Sequence, residues 1–176
     1  MGPFHYLPFL ECNHAIISLR HHITGSLKVN NQKFQIIGDG YIEKDWGRSF
    51  PQDYLWLQSN SCKEKEASLF LSIAKIPLLA CSFQGLIMNL LVDDQQIRVA
   101  TYYGARVKDM FTREGYHYLI ISQHPHTFYL KIKAGHRFEL KSPQSGKMNG
   151  YVEESLNALA VLLAVSYTHL TLPTKA

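Results

Sequence analysis

The chain has 176 residues, of which 46% are hydrophobic and 18% charged, and its formal net charge is +4. This length and composition predict one folded, globular domain and argue against intrinsic disorder. The Lys and Arg residues are scattered along the sequence without a block of like charge. Nucleic-acid binding is therefore not indicated, because the sequence lacks the clustered basic residues that attract phosphates.

The cysteines and the apolar segments bear on the cellular compartment. The three cysteines, Cys12, Cys62 and Cys81, are an odd number, widely spaced and without a CxxC pair. This usage fits a reducing compartment and predicts neither a disulfide framework nor a zinc knuckle, although a single Cys12–Cys62 bridge stays open. No apolar run approaches the ~20 residues of a membrane-spanning helix. We therefore expect a cytoplasmic protein, with peripheral membrane contact left open.

The two ends of the sequence are treated separately. The segment from Val165 to Ala176 resembles the in-frame translation of a sequencing adapter, and such scars are left out of fold reasoning. The first residues, MGPFHYLPFLE, read like the middle of a protein. We expect a fragment in which residues 1–163 form the domain and residues 164–176 are not structural.

Short alternating segments separated by turn residues follow one another along the chain. Turns are predicted at Asn30-Asn31, Asp93-Asp94 and Glu114-Gly115, and a turn or bulge at residues 38–40. The predicted strands are 14–27, 34–37, 41–46, 54–60, 68–76, 83–92, 97–103, 106–112, 116–122, 128–133, 137–140 and 147–156. This spacing predicts an all-β, antiparallel meander that closes into a barrel or folds as a sandwich. The exception is a helical turn predicted within 156–165, where Ala and Leu predominate.

Residues 40–60 hold an unusual density of chemically distinctive side chains. Because side chains alternate between the faces of a strand, Tyr41, Glu43 and Asp45 share one face. In the next predicted strand one face carries a second alternating set, formed by Tyr54, Trp56, Gln58 and Asn60. If these strands are neighbours in a barrel, the shared surface suits an amphipathic ligand. A carboxylic acid in an apolar wall can donate a proton, and aromatic faces can stabilise a developing cation.

Simpler interpretations compete with a site. An alternating strand of Glu, Asp, Gln and Asn is most often a solvent-facing strand, and a tryptophan at a corner is most often core. His124 and His126 lie two residues apart, but the spacing marks no third ligand, so no metal site is predicted. Glu11 and His14 are a further acid/base or ligand pair, although their spacing puts them on opposite faces of a strand. The sequence contains no GxSxG, P-loop, GxGxxG or HExxH motif.

The order of residues in this region resembles the signature of the tocopherol cyclase family. That signature is Glu-Lys-Asn-Trp-Gly, two variable residues, Phe-Pro, and then Trp-x-Trp-x-Gln-x-Asn. The chain reads EKDWGRSFP from Glu43 and YLWLQSN from Tyr54. The positions that match are Glu43, Trp46, Gly47, Phe50, Pro51, Trp56, Gln58 and Asn60. The segment MGPF at the start, PFLEC before residue 13 and His14 also resemble the region ahead of the motif in bacterial relatives.

The resemblance implies a fold and a chemistry. The fold would be a lipocalin-like (calycin) β-barrel assembly, larger than this chain and therefore incomplete in it. The chemistry would be the closure of a prenylated hydroquinone to a chromanol, in which an acid protonates the alkene and the phenol oxygen captures the tertiary cation. No redox cofactor or metal would be required, and the partner would be a hydrophobic, prenylated aromatic or isoprenoid ligand.

The motif does not assign the family's catalytic acid, so the site roles are a hypothesis built on the chemistry of the matched residues. Glu43 or Asp45 would be the acid, and the remaining members would bind substrate: Trp46, Phe50, Tyr54, Trp56, Gln58, Asn60, Glu11 and His14. Asp45 departs from the pattern, because the plant and cyanobacterial cyclases have Asn there, and Tyr54 stands where they have Trp. Two alternatives stay open, a lipocalin-like carrier that binds its ligand without turnover and a structural remnant whose motif only forms a barrel corner. The sequence carries no signal for an oligomeric state.

Overall fold

The computed structural model describes residues 1–7, 10–63, 66–78 and 81–166. Within them the secondary structure is β-strand and two short 3₁₀ helices, Gly2–Tyr6 and Thr101–Tyr103. The strands are β1 (Cys12–Val29), β2 (Gln32–Gly47), β3 (Tyr54–Ser59), β4 (Ala67–Leu78), β5 (Cys81–Val92), β6 (Gln95–Ala100), β7 (Arg106–Arg113), β8 (Tyr116–Gln123), β9 (His126–Lys133), β10 (Phe138–Gln144), β11 (Lys147–Glu154) and β12 (Leu159–Ser166).

The chain forms two compact units. The first contains Met1–Val99 and Ser142–Gly150, and the second contains Ala100–Lys141 and the residues from Tyr151 onward. The first unit holds the long β1–β2 hairpin and a four-stranded sheet in the order β3-β4-β5-β6. The second holds a four-stranded sheet in the order β12-β9-β8-β7, and β10 pairs with β11 in a further hairpin. The prediction of an all-β, antiparallel meander is confirmed, and in the described residues the sheets do not close into a barrel.

Each unit buries its own apolar strand residues. In the first unit the central strands β4 and β5 carry buried side chains on both faces, including Phe70, Leu71 and Met88. In the second unit the core lies on one face of β8 and β9, where Leu119, Ile121, Phe128 and Leu130 alternate with more exposed neighbours. This alternation is the signature of an antiparallel sheet with one covered face.

Two predicted hairpin turns are present in the structure, whereas the predicted helical turn is not. Asn30-Asn31 and Asp93-Asp94 adopt positive φ angles of 47°, 66°, 48° and 64°, as hairpin turns require. The helical turn predicted within 156–165 is wrong, because Leu159–Ser166 forms β12 and pairs antiparallel with β9. The hydrogen-bonding edge of β9 outweighs the modest helix propensity of Ala and Leu there. Strand β12 includes residues 164–166 of the predicted tail, and residues 167–176 lie outside the described residues.

The β1–β2 hairpin is continuous where a turn at residues 38–40 was considered. Strand β2 runs through this segment, and the irregular pairing lies opposite, on β1, between Ile16 and Ser18 and between Ser18 and His21. Each irregularity places one extra β1 residue against β2, which is the definition of a β-bulge. A Cβ at position 40 would meet the His21 ring and Ile23, so glycine is the residue that fits there. The two bulges divide the hairpin into one part that ends at Gly47 and another that ends at the Asn30-Asn31 turn.

The corner after β2 is held by backbone hydrogen bonds. The N–H groups of Arg48 and Ser49 donate to the Glu11 carbonyl at 2.7 and 3.2 Å. Gly47 has a φ of +154°, and a Cβ at that position would collide with the same carbonyl. Ser49 is buried, and its hydroxyl accepts a hydrogen bond from the Ser145 N–H at 2.9 Å. These contacts hold the chain segment that follows β2 against the start of β1 and against Ser145.

Two further findings concern the compartment. Cys12, Cys62 and Cys81 form no disulfide among the described residues, so the Cys12–Cys62 bridge that the sequence left open is not formed. Within the described part of the chain, no helix has the length and apolar character needed to cross a membrane.

Candidate functional site

Glu43 is the centre of a side-chain cluster in the first unit. Strand β2 places Tyr41 and Glu43 on the same face, since they are two residues apart, and the Tyr41 hydroxyl donates to Glu43 Oε2 at 2.8 Å. The indole Nε1–H of Trp56, on β3, donates to the same oxygen at 3.1 Å. Nδ1 of His14, on β1, lies 3.2 Å from Glu43 Oε1. Side chains from three strands therefore meet at one carboxylate that is only 9% exposed.

The pairing of β1 with β2 explains why His14 is here. In the hairpin His14 pairs with Asp45, and Ile16, two residues further along β1, pairs with Glu43. Its ring also contacts Phe70 of β4, with 5.4 Å between the ring centroids. Phe70 is fully buried, so it forms an apolar floor beneath the imidazole. The position of His14 is thus set by both the hairpin and the adjacent sheet.

Strands β2 and β3 are not neighbours in one sheet. They belong to different sheets, and β3 pairs with β4 rather than with β2. The arrangement considered from the sequence, in which these strands are barrel neighbours, is not found. Trp56 reaches Glu43 across the space between the hairpin and the sheet. The Glu43 carboxylate, the Tyr41 phenol and the Trp56 indole come together as expected. They do so because side chains of the hairpin and of the sheet meet, and not because β2 and β3 are paired strands.

The hydrogen bonds determine the charge state of Glu43. Burial acts to raise its pKa, but the hydrogen bonds from His14, Tyr41 and Trp56 and the electrostatic interaction with His14 outweigh burial. The net result is a pKa below the ordinary value of a glutamate. Glu43 is therefore ionised at neutral pH, a buried anion held by three donors.

Asp45 behaves in the opposite way. Although Asp45 is an exposed residue, partial desolvation of its carboxyl group and the negative charge of Glu43 raise its pKa to about 6, against the smaller opposing effect of His14. Two carboxylates on one strand face thus have pKa values displaced in opposite directions. Such a separation is what acid chemistry near neutral pH needs, because one group can hold a proton while the other stays charged.

Two neighbouring groups keep their protons. Burial, together with the carboxylates Asp45 and Glu43, raises the pKa of the Cys12 thiol to about 11, so Cys12 is a neutral thiol and not a nucleophile. Burial and the hydrogen bond to Glu43 also raise the pKa of Tyr41. The phenol therefore acts as a fixed hydrogen-bond donor to the carboxylate.

Several residues named from the sequence lie beside the cluster rather than in it. The Gln58 amide donates to Asn60 Oδ1 at 2.9 Å, and the Asn60 amide donates to the Gly40 carbonyl at 2.9 Å. These bonds fasten β3 to β2 and occupy part of the hydrogen-bonding capacity that was assigned to a ligand. Phe50 and Tyr54 form an edge-to-face pair with centroids 6.0 Å apart.

Trp46 and Glu11 also lie apart from Glu43. Trp46 is 40% exposed, and the Lys44 ammonium lies 5.6 Å from its ring centroid. The Glu11 side chain is exposed, and it is its backbone carbonyl that takes part in the corner. Glu11 and His14 are therefore not brought together as an acid/base pair.

Sequence reasoning did not include Tyr41, Cys12 and Phe70 among the site residues. For Tyr41 the signal was available, because it alternates with Glu43 and Asp45 on one strand face. For Cys12 and Phe70 no local signal exists, since their proximity to the carboxylates depends on hairpin register and on the packing of β4.

The same residues bear on metal binding. Among the described residues, ligand atoms of His14, Glu43 and Asp45 lie within 4.8 Å of one another and could in principle hold an ion. Both Glu43 oxygens, however, already accept hydrogen bonds, and a metal would have to displace those donors. The cluster is better described as a hydrogen-bond network than as a metal centre.

Replacing Trp56 by Phe is expected to raise the pKa of Glu43, because the carboxylate loses one hydrogen bond to its charged form. The expected result is an upward shift, since the lost hydrogen bond favours the ionised carboxylate. Carbon-detected NMR titration of labelled glutamate side chains measures it. Trp46→Phe is the matched control and should leave Glu43 unchanged. Equal shifts in both variants would contradict the assigned hydrogen bond.

The geometry defines a class of protein before any comparison. It is an all-β, antiparallel protein that joins two carboxylates, an imidazole and aromatic side chains at the meeting of a hairpin and a sheet. Residues 1–76 match the family model described as Tocopherol cyclase-like. This matched segment contains every site residue named above. Comparison of the chain with curated proteins and with solved structures gives no match.

Proposed function

We propose that the protein catalyses the acid-promoted ring closure of a prenylated hydroquinone, or of a related isoprenoid lipid, to a chromanol-type product. The observation that carries the proposal is geometric: Glu43 accepts hydrogen bonds from His14, Tyr41 and Trp56, and Asp45 lies beside it on the same strand face. The family match of residues 1–76 supports the reaction class.

In the proposed reaction Asp45 is the proton donor. Its carboxylic acid transfers a proton to the less substituted carbon of the trisubstituted alkene, which leaves a tertiary cation on the neighbouring carbon. The phenol oxygen of the substrate then forms the new C–O bond, and the phenolic proton returns to the Asp45 carboxylate. Substrate and product are isomers, so atoms and electrons balance without an oxidant or a reductant.

Glu43 has a different role in this proposal. Because three donors keep it ionised, it places a fixed negative charge near the carbon where positive charge develops. The indole of Trp56 adds the negative face of an aromatic ring. His14 and Tyr41 are positioning residues, since they hold Glu43 and not the substrate. Oriented charges of this kind stabilise a transition state without reorganisation at the moment of reaction.

The test is turnover of a prenyl hydroquinone by the full chain in deuterated water. Mass spectrometry is expected to detect a chromanol that carries one deuterium on carbon, because the proton that adds to the alkene comes from an exchangeable acid. Boiled protein is the background control. Substrate that binds but is recovered unchanged would overturn the enzyme proposal in favour of a carrier.

A further inference from the structure

The distal half of the β1–β2 hairpin extends beyond the bulges as an isolated ribbon. We define the arm as residues 22–39. Nearly all of its residues are exposed, and a Cβ added at Gly25 or at Gly38 would meet no atom within 4 Å. A lone two-stranded hairpin is at best marginally stable in water, so a ribbon of this length calls for a contact on one of its faces.

The two faces of the arm differ in chemistry. The hairpin register pairs Leu27 with Phe34 and Thr24 with Ile37, so the face of each residue is known. Apolar residues predominate on one face: Ile23, Leu27, Val29, Phe34 and Ile36. Leu27 is 50% and Phe34 48% exposed, so about half of each apolar side chain is accessible to solvent. The other face carries polar and charged side chains with one isoleucine: His22, Thr24, Ser26, Lys28, Lys33, Gln35, Ile37 and Asp39.

The charge of the arm is positive and concentrated near its tip. Lys28 and Lys33 are direct cross-strand partners, and like charges at such positions repel each other. The one acid of the arm, Asp39, lies at its base and is already paired with Arg20 at 2.8 Å. Neither lysine forms an ion pair with a residue that the structure describes. Two adjacent lysine ammonium groups that lack an acidic partner in the described residues can bind an anionic group outside the protein.

We propose that the arm docks on the surface of an anionic lipid bilayer. A ribbon with an apolar face and a basic face lies in the interfacial plane, with its apolar side chains at the acyl boundary and its lysines among the headgroups. The negative surface potential of anionic lipids then attracts Lys28 and Lys33. The depth is limited to the interface, because the ribbon edges carry backbone groups that need water.

Charge favours the bilayer over a second copy of the chain. Two arms that met through their basic faces would bring four lysines together, and a meeting of apolar faces would leave the Lys28–Lys33 repulsion unrelieved. The inference rests on the arm alone, and neither turnover nor the identity of the substrate enters it.

The test is co-sedimentation of the full chain with vesicles of phosphatidylcholine that contain 30% phosphatidylserine, against vesicles of phosphatidylcholine alone. Binding is expected to the anionic vesicles and to fall with added salt. Lys28→Gln together with Lys33→Gln should weaken it about thirty-fold, since each lysine near such a surface contributes a factor of about five. Lys63→Gln together with Lys147→Gln, at two exposed positions outside the arm, is the charge-matched control and should bind like the parent.

A second pair of variants tests the apolar face. Leu27→Thr with Phe34→Thr keeps β-propensity and should also release the protein from the vesicles. Hydrogen exchange of residues 22–39 should slow on addition of anionic vesicles, which reports the arm directly. Equal binding by the arm variant and its control would overturn the proposal. So would an arm that is already protected without vesicles, or a concentration-dependent dimer in sedimentation velocity that the arm variants abolish.

Discussion

Replacing Asp45 by Asn is expected to lower chromanol formation by about 10²–10⁴-fold, the usual weight of a general acid. In the parent protein the rate should fall as the pH rises through about 6, because only the protonated form of Asp45 can donate. Initial rates at pH 5–8, measured with saturating substrate, provide the profile. In Asp45→Asn the residual rate should lose this pH dependence.

The same substitution is expected to stabilise the fold at neutral pH. The pKa of Asp45 is raised from an ordinary value of 3.8 to about 6, so the folded state binds the proton more tightly than the unfolded state. The stability that comes from this group is fully present below pH 3.8 and is lost as the pH rises through 6. Asn removes the penalty. After allowance for solvent screening the gain at pH 7.5 should be about 1 kcal/mol or less.

A combined loss of activity and gain of stability separates a functional carboxylate from a solvent-facing one. Thermal unfolding at pH 4 is the control, because parent and variant should then have nearly the same Tm. Glu43→Gln should behave differently. The pKa of Glu43 is lowered, so its contribution to stability is present above the ordinary value and lost as the pH falls, and the variant should be destabilised at neutral pH. Full turnover by Asp45→Asn would remove Asp45 as the acid.

Replacing Phe70 by Ala is expected to lower the free energy of unfolding by about 3–5 kcal/mol, because the ring is fully buried in β4 and its removal leaves a cavity. The substitution also removes the surface on which the His14 ring rests. Urea unfolding followed by tryptophan fluorescence measures the loss, since Trp46 and Trp56 both lie in the first unit.

Two control variants give the scale against which the loss of stability in Phe70→Ala is judged. Phe34→Ala removes the same ring from an exposed position and should cost less than about 1 kcal/mol. Phe70→Leu should fall between the two, because most of the volume is kept. A Phe70→Ala protein as stable as Phe34→Ala would show that β4 is not the core of this unit.

Much of the fold was predictable because it is local. Alternation of side chains identified the strands, and paired Asn and Asp residues identified turns whose positive φ angles the structure shows at Asn30, Asn31, Asp93 and Asp94. Strand β12 was not predictable from its own residues. Its Ala and Leu side chains suit a helix as well as a strand, and the choice depends on the edge of β9.

The candidate site, like the fold, was predictable only in part. The motif located Glu43, Asp45 and Trp56, and alternation placed the two carboxylates on one face. What the sequence could not supply was the assignment of different roles to the two carboxylates. That difference depends on donors from β1 and β3, which meet Glu43 only after the hairpin and the sheet have packed. The amides of Gln58 and Asn60, assigned to a ligand, also form hydrogen bonds within the protein, which depend on the packing of the hairpin against the sheet.

The two bulges of β1 have a consequence for protein engineering. They concentrate the irregular pairing between Ile16 and His21, and from His21 to Val29 the register with β2 is regular. A ribbon of regular register can be shortened or lengthened as a cassette, with the cluster around Glu43 left intact. The length should change by two residues in each strand, because a change of one would turn the apolar side chains to the opposite face. The length of the ribbon beyond the bulges can therefore be changed in steps of roughly 7 Å.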